Sequence, residues 1–150
     1  MALKIGQKAP NFTLPSTSGN DFTLNKDAAG KSCIIYFYPK DFTRVCTAEA
    51  CDFRDQFAAF RDLDIPVYGI SRDSIETHLK FQKEFKLPFE LLSDGKGDVC
   101  KAYDALIPLV RMPKRITYLL DSNHIVQGAY SDMFESKKHV NEMLEVLKRK

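Results

Sequence analysis

The chain has 150 residues and a net charge of +2 from 22 basic and 20 acidic residues, the size of one ordinary globular domain. Apolar residues make up 44 % and charged residues 28 %, which argues against disorder and a membrane protein, and the near-neutral charge removes the electrostatic case for a nucleic-acid or anionic-membrane partner. The N-terminal Met-Ala-Leu-Lys-Ile-Gly-Gln-Lys lacks a secretory h-region, and no apolar run approaches the roughly 18 residues of a membrane span. A cytoplasmic location is therefore expected, where cysteines stay reduced unless they do chemistry or bind metal.

In chain order, Asn11–Pro15 and Asp21–Leu24 read as short strands joined by the turn residues Ser16-Thr-Ser-Gly-Asn20, a hairpin. Cys33–Tyr38 is a continuous apolar, β-rich run closed by Pro39, as expected of a strand buried on both faces. From Cys46 to Asp62 the period becomes helical, with Cys46, Ala50, Phe53, Phe57 and Phe60 on one face. Ile65–Ile70 is the next strand, and Ser74 N-caps a helix over Ile75–Phe85. Phe89–Leu92 is a short strand and Asp98–Tyr103 a short helix. Arg115–Leu120 and Ile125–Tyr130 form a second hairpin across Asp-Ser-Asn-His. Ser136–Lys148 closes the chain as an amphipathic helix carrying Val140, Leu144 and Leu147. There is no repeat, low-complexity stretch or linker, so residues 1–150 read as one α/β domain. Its mixed central sheet is flanked by helices on both faces and preceded by a β-hairpin. In such sheets, sites form beyond the carboxyl ends of the strands, where residues 39–46 lie.

Four cysteines, Cys33, Cys46, Cys51 and Cys100, decide the function. Cysteine attacks as thiolate, and a helix N-terminus or a nearby cation favours that form. Cys46 sits at the start of a helix, two residues after Arg44 and three after Thr43, whose hydroxyl can fold back onto the sulfur. Pro39 adds a rigid wall without a donor. The alternative for a cysteine on an apolar face is a small core residue.

Pro39-x-x-x-Thr43-x-x-Cys46 resembles the active-site motif of peroxiredoxins. The longer stretch Phe-Tyr-Pro-Lys-Asp before it and Cys-Thr-Ala-Glu-Ala-Cys-Asp-Phe-Arg-Asp after it resembles the subgroup called bacterioferritin comigratory protein or peroxiredoxin Q. So do Gly6-x-x-Ala-Pro-Asn-Phe-Thr-Leu14, Ile65–Ser71, Leu91–Asp94 and Arg115–Asp121. The resemblance implies a thioredoxin-like fold and reduction of hydrogen peroxide and organic hydroperoxides without metal or organic cofactor. It makes Cys46 the peroxidatic nucleophile, Thr43 a hydrogen-bond partner of thiolate and peroxide, and Pro39 a shield for the sulfenic acid. Arg115 becomes the cation that holds the thiolate and polarises the O–O bond. Glu49 becomes either a carboxylate neutralised by an arginine and ordering the pocket, or a solvated helix-start acid. The subgroup's usual Pro-Gly before the nucleophile is replaced by Arg44-Val45, which removes backbone freedom and adds a charge.

Cys51 resembles the subgroup's resolving cysteine, which forms an intramolecular disulfide with the oxidised Cys46. Five residues along an α-helix separate two Cα atoms by about 8.7 Å, beyond the roughly 4.4–6.8 Å of a disulfide, so the helix must unwind in each cycle. A thioredoxin-type dithiol is the implied reductant. The chain ends just after its last helix, leaving no arm for a resolving cysteine of a partner subunit, so a monomer is expected, with a dimer as alternative. Cys33 and Cys100 read as structural, Cys100 being the better candidate of the two for a backup resolving thiol.

Three other classes compete. A zinc site is weakened because only Cys46 and Cys51 approach a ligand pair, and His78, His124 and His139 read as surface helix or turn residues. A thiol–disulfide oxidoreductase would want Cys-x-x-Cys, which the chain lacks. A redox sensor or holdase would be oxidised once, without turnover.

Overall fold

The computed structural model describes residues 2–131 and 136–148, and in the last helix the side chains of 141–147. The apolar run at Cys33 forms β3 (Cys33–Phe37), buried at all five positions. It is the centre of a five-stranded sheet. β4 (Val67–Ser71) pairs with it in parallel, Ile34 opposite Val67, and β5 (Glu90–Ser93) continues in parallel. On the other side β6 (Ile116–Leu120) and β7 (Val126–Tyr130) run antiparallel, giving the order β5-β4-β3-β6-β7. β1 (Thr13–Pro15) and β2 (Asp21–Thr23) form a separate hairpin. This is the helix-flanked mixed sheet of the thioredoxin-like fold implied by the resemblance.

The pleat sends alternate residues of β3 to two cores. Cys33, Ile35 and Phe37 enter a layer closed by the hairpin, α1 (Leu24–Asp27) and α5 (Asp98–Ala102). Ile34, Tyr36 and Tyr38 enter the other, with Cys46, Ala50 and Phe53 of α2 (Arg44–Asp55), Phe60 of α3 (Phe57–Asp62), Phe81 of α4 (Ile75–Glu84), and Met143 and Leu144 of α6 (Ser136–Lys148). Burying a phenylalanine such as Phe53 or Phe60 stabilises such a layer by about 1.5–3 kcal/mol. The Tyr36 ring stacks on Phe53 at 4.8 Å and fixes α2 on β3.

Three expectations change. The helix expected over Cys46–Asp62 starts earlier, at Arg44, and breaks at Gln56, whose ψ of 5° re-aims the chain into α3. The apolar period runs through the break, so Phe53 and Phe60 both stay buried while Phe57 is only half-buried. Leu24, read as a strand end, begins α1 instead. His78 and His124 are buried rather than on the surface, because each ring finds an internal acceptor: Leu92 O at 3.0 Å for His78 and Ala28 O at 2.8 Å for His124. The expected N-cap at Ser74 forms, accepting from the Thr77 amide. The side chains of His139 and Val140 lie outside the described residues.

Candidate active site

β3 ends at Phe37, and residues 38–43 turn over the carboxyl end of the sheet into α2. Thr43 is the N-cap, extended at φ −77° and ψ 154°. Its carbonyl accepts the first helical bond from Thr47 N at 2.9 Å. Cys46 is the third residue of α2, where backbone N–H groups lack helical partners and the dipole is positive. No acidic side chain occupies that turn. Cys46 is 1 % exposed, and its sulfur accepts a hydrogen bond from Arg115 Nη2 at 3.1 Å.

Arg115 comes from 69 residues away. The register explains its arrival: Phe37 pairs with Ile116, so Arg115 lies one step further along, opposite Tyr38 and under the start of α2. The same guanidinium donates from Nη1 to Glu49 Oε1 at 3.2 Å, clamping two side chains one turn apart on α2. Its Nε is buried with no partner among the described residues, a spare donor on the cation that touches the sulfur.

Glu49 is 4 % exposed, which rules out the solvated helix-start reading. Burial pushes its carboxyl up to about 7; Arg115 opposes the shift and the nearby Asp52 charge adds to it. The folded value is raised above the unfolded one, so this group's stabilising contribution is fully present below about pH 4.5 and lost as pH rises through about 7. Urea unfolding of wild type and Glu49→Gln across that window should show the wild type losing about 3 kcal/mol relative to the variant. A constant difference between the two would contradict a buried, titrating Glu49.

Thr43 departs from expectation. Its side chain is exposed and its hydroxyl donates to Lys40 O at 2.8 Å rather than to Cys46. Phe42, left-handed at φ 66°, folds the chain so that the hydroxyl closes this turn, leaving the oxygen's lone pairs to accept. Arg44 is exposed; the cation on the sulfur is Arg115. Pro39 is half-buried and lines a cleft of about 260 Å³ with Lys40, Arg72, Asp73, Val110 and Met112.

All four cysteines are free thiols. Cys51 is half-buried on the intact α2, off the Cys46 face, with its thiol pushed up by burial. Burial pushes the Cys33 thiol up to about 12, and that of Cys100 up as well, with Asp94 adding. Both lie in the core layer across the sheet from Cys46, so Cys100 is not placed to act as a backup resolving thiol.

Sequence reasoning missed a buried polar network beside this loop. Tyr38 OH donates to Asp41 Oδ1 at 2.6 Å, and His78 Nδ1 meets Asp41 Oδ2 at 2.6 Å. Asp41 N donates to Asp73 Oδ2 at 2.9 Å, which also accepts from Ser71 Oγ. Asp41, Asp73 and His78 are metal-ligand types with ligand atoms within 4.8 Å of one another, but these atoms are engaged in the hydrogen bonds just given. The signal available in the sequence was the stripe of α4: His78 lies three residues before the buried Phe81 and four after the cap Ser74.

The chain matches the AhpC/TSA family over residues 5–129. It is 42 % identical over 143 residues to the putative chloroplastic peroxiredoxin Q of Oryza sativa subsp. indica, an alignment that covers 95 % of this chain and 65 % of that protein. The chain thus spans just under two thirds of this rice relative's length. Among solved structures, peroxidoxin BcpB of Mycobacterium tuberculosis superposes with a TM-score of 0.90 at 30 % identity, covering 98 % of this chain and 97 % of the other. The bacterioferritin comigratory protein of Xanthomonas campestris, studied for its alkyl peroxide reduction activity, superposes with a TM-score of 0.82 at 30 % identity, covering 92 % and 90 %.

Proposed function

Because this chain belongs to the AhpC/TSA family, in the company of peroxiredoxin Q and bacterioferritin comigratory proteins, we propose that it is a thiol-dependent peroxidase working on hydrogen peroxide and organic hydroperoxides through Cys46. The observation that carries this reading is the Cys46 sulfur in the first turn of α2, held by a buried Arg115. The thiolate attacks one peroxide oxygen. The S–O bond forms as the O–O bond breaks, giving sulfenic acid and an alkoxide or hydroxide that leaves as alcohol or water after taking a proton. The spare Nε–H of Arg115 is a donor for the oxygen on which charge develops. Pro39 shields the sulfenic acid, and Thr43 offers its lone pairs to the O–H of the incoming peroxide.

Cys51 then condenses with the sulfenic acid, expelling water and leaving a disulfide. A thioredoxin-type dithiol returns both thiols and is itself oxidised. The intact α2 keeps the two cysteines too far apart, so its N-terminal turns unwind before resolution. The working unit is one domain, residues 1–150, acting as a monomer without cofactor. No helix of the described residues is long and apolar enough to cross a membrane; the cytoplasm is the proposed location because a reducing compartment supplies the dithiol. The rice relative is named as chloroplastic. The balanced charge supports neither nucleic acid nor membrane as a partner.

Trypsin releases Val45–Arg54 as one peptide with both cysteines. After one equivalent of peroxide and blocking of free thiols, that peptide should be about two mass units lighter than its reduced, unblocked form, with Cys33 and Cys100 blocked. A Cys46–Cys100 disulfide would overturn the resolving role of Cys51. In Cys51→Ser the first equivalent of peroxide should be consumed at the wild-type rate, with turnover supported by the dithiol lost and Cys46 left as sulfenic acid.

A further inference from the structure

The buried network beside the loop has no role in the reaction as derived so far. We propose that His78, acting through Asp41, is a positioning residue for the peroxidatic loop: it clamps residues 38–41 to α4 and β5, so that Pro39, and Thr43 through its bond to Lys40 O, return to one position each time α2 re-forms and brings Cys46 back. The inference rests on the peroxidase reading above.

The network ties the loop down from several sides. The side chains of His78 and Asp41 are fully buried. Leu92 O of β5 can only accept, so His78 Nε2 donates to it at 3.0 Å, which fixes the ring. The other ring nitrogen holds Asp41 Oδ2 at 2.6 Å, and Tyr38 OH takes Oδ1 at 2.6 Å. The Asp41 backbone is held too, its N–H on Asp73, while Asp73 O accepts from Ser93 Oγ at 2.6 Å. The last residue of β3's apolar run, the β4–α4 turn, α4 and β5 thus converge on one carboxylate and one amide. Short hydrogen bonds to a carboxylate in a dry site are the strong ones.

The clamp stops where the chain must move. Phe42 follows it, left-handed at φ 66°, a conformation that costs a bulky residue free energy. Its ring lies 5.1 Å from Phe81, one turn beyond His78 on α4. Thr43 Oγ1 is fastened back to Lys40 O inside the clamped turn. α2 begins at Arg44. Unwinding of α2 therefore begins beyond Phe42: Pro39 stays on the clamped side, Thr43 is tied to it through Lys40 O, and Cys46 moves with α2. A displacement of such groups by about 1 Å costs up to about a hundredfold in rate, whereas simple alkylation of the thiolate does not need them.

The test compares two reagents on reduced protein. Cys46 is oxidised with hydrogen peroxide and, separately, alkylated with iodoacetamide, each followed by quenched flow. His78→Leu should slow oxidation by about tenfold to a hundredfold and alkylation by less than about threefold. His78→Asn, which keeps a donor facing Asp41, should recover the oxidation rate to within about threefold of wild type. Oxidation of His78→Leu at the wild-type rate would overturn the proposal; so would equal slowing with both reagents without rescue by asparagine, the signature of a merely structural role. If His78→Leu does not fold, Tyr38→Phe removes one hydroxyl from the same carboxylate. It should slow oxidation about threefold to tenfold and leave alkylation unchanged; an unchanged oxidation rate again overturns it. A wild-type protein unreactive toward peroxide would instead sink the peroxidase reading itself.

Discussion

The Cys46→Ser variant should lose peroxide turnover by at least about a thousandfold while keeping its fold. A serine hydroxyl is far less nucleophilic than a thiolate and needs an adjacent base, and no hydrogen bond from the Cys46 position to a base is found among the described residues. The side chains that frame the sulfur are Arg115, a cation, and through it Glu49, whose carboxylate is committed to that arginine. Oxygen also cannot follow sulfur to a sulfenic acid, so even a slow attack would not open the cycle. The other thiols offer no bypass. Cys33 and Cys100 are buried in the opposite core layer, and burial pushes the Cys51 thiol up, away from the reactive form. The substitution is small and the serine can still accept from Arg115, so its urea midpoint should stay close to wild type. Undiminished peroxide consumption by this variant, in the presence of a dithiol reductant, would end the assignment of Cys46.

The fold was legible because it is carried by periodic patterns. The apolar run Cys33–Tyr38 had to be doubly buried, and β3 is; Ser74 had to cap a helix, and it does. What periodicity cannot register is where a regular pattern is interrupted for a local reason. Phe53, Phe57 and Phe60 keep helical spacing across Gln56, so nothing in the apolar pattern marked the break between α2 and α3. In the site, the resemblance names Cys46, Arg115 and Glu49, but their union depends on a strand register that sets Phe37 opposite Ile116. A spacing of three residues points the Thr43 hydroxyl at the Cys46 sulfur; the left-handed Phe42 turns it to Lys40 instead. Nothing near His78 in the sequence signals its burial, because its partners, Asp41 and Leu92 O, are 37 and 14 residues away. Long-range polar pairing leaves no period in a sequence.

Arg115→Gln should reduce the second-order rate constant with peroxide by about a hundredfold, by loss of a preorganised donor in a water-poor site. Arg115→Lys should recover only part of it. An ammonium is a point charge, whereas the guanidinium reaches Cys46 Sγ at 3.1 Å and Glu49 Oε1 at 3.2 Å from separate nitrogens. Removing the arginine also strands Glu49. A buried carboxylate without its partner costs about 3–5 kcal/mol, and Glu49 escapes that cost by taking a proton, which its value of about 7 already favours. Arg115 is the group that lowers that value, so its loss raises it further. The destabilisation of Arg115→Gln should therefore be slight near pH 5 and grow as pH rises past 7. The double variant Glu49→Gln, Arg115→Gln separates the two roles of the arginine. With no carboxylate left to strand, stability at pH 8 should return toward wild type while peroxide reactivity stays low. If both recovered together, the arginine would be acting on the sulfur only through Glu49, and the 3.1 Å contact would have no chemistry of its own.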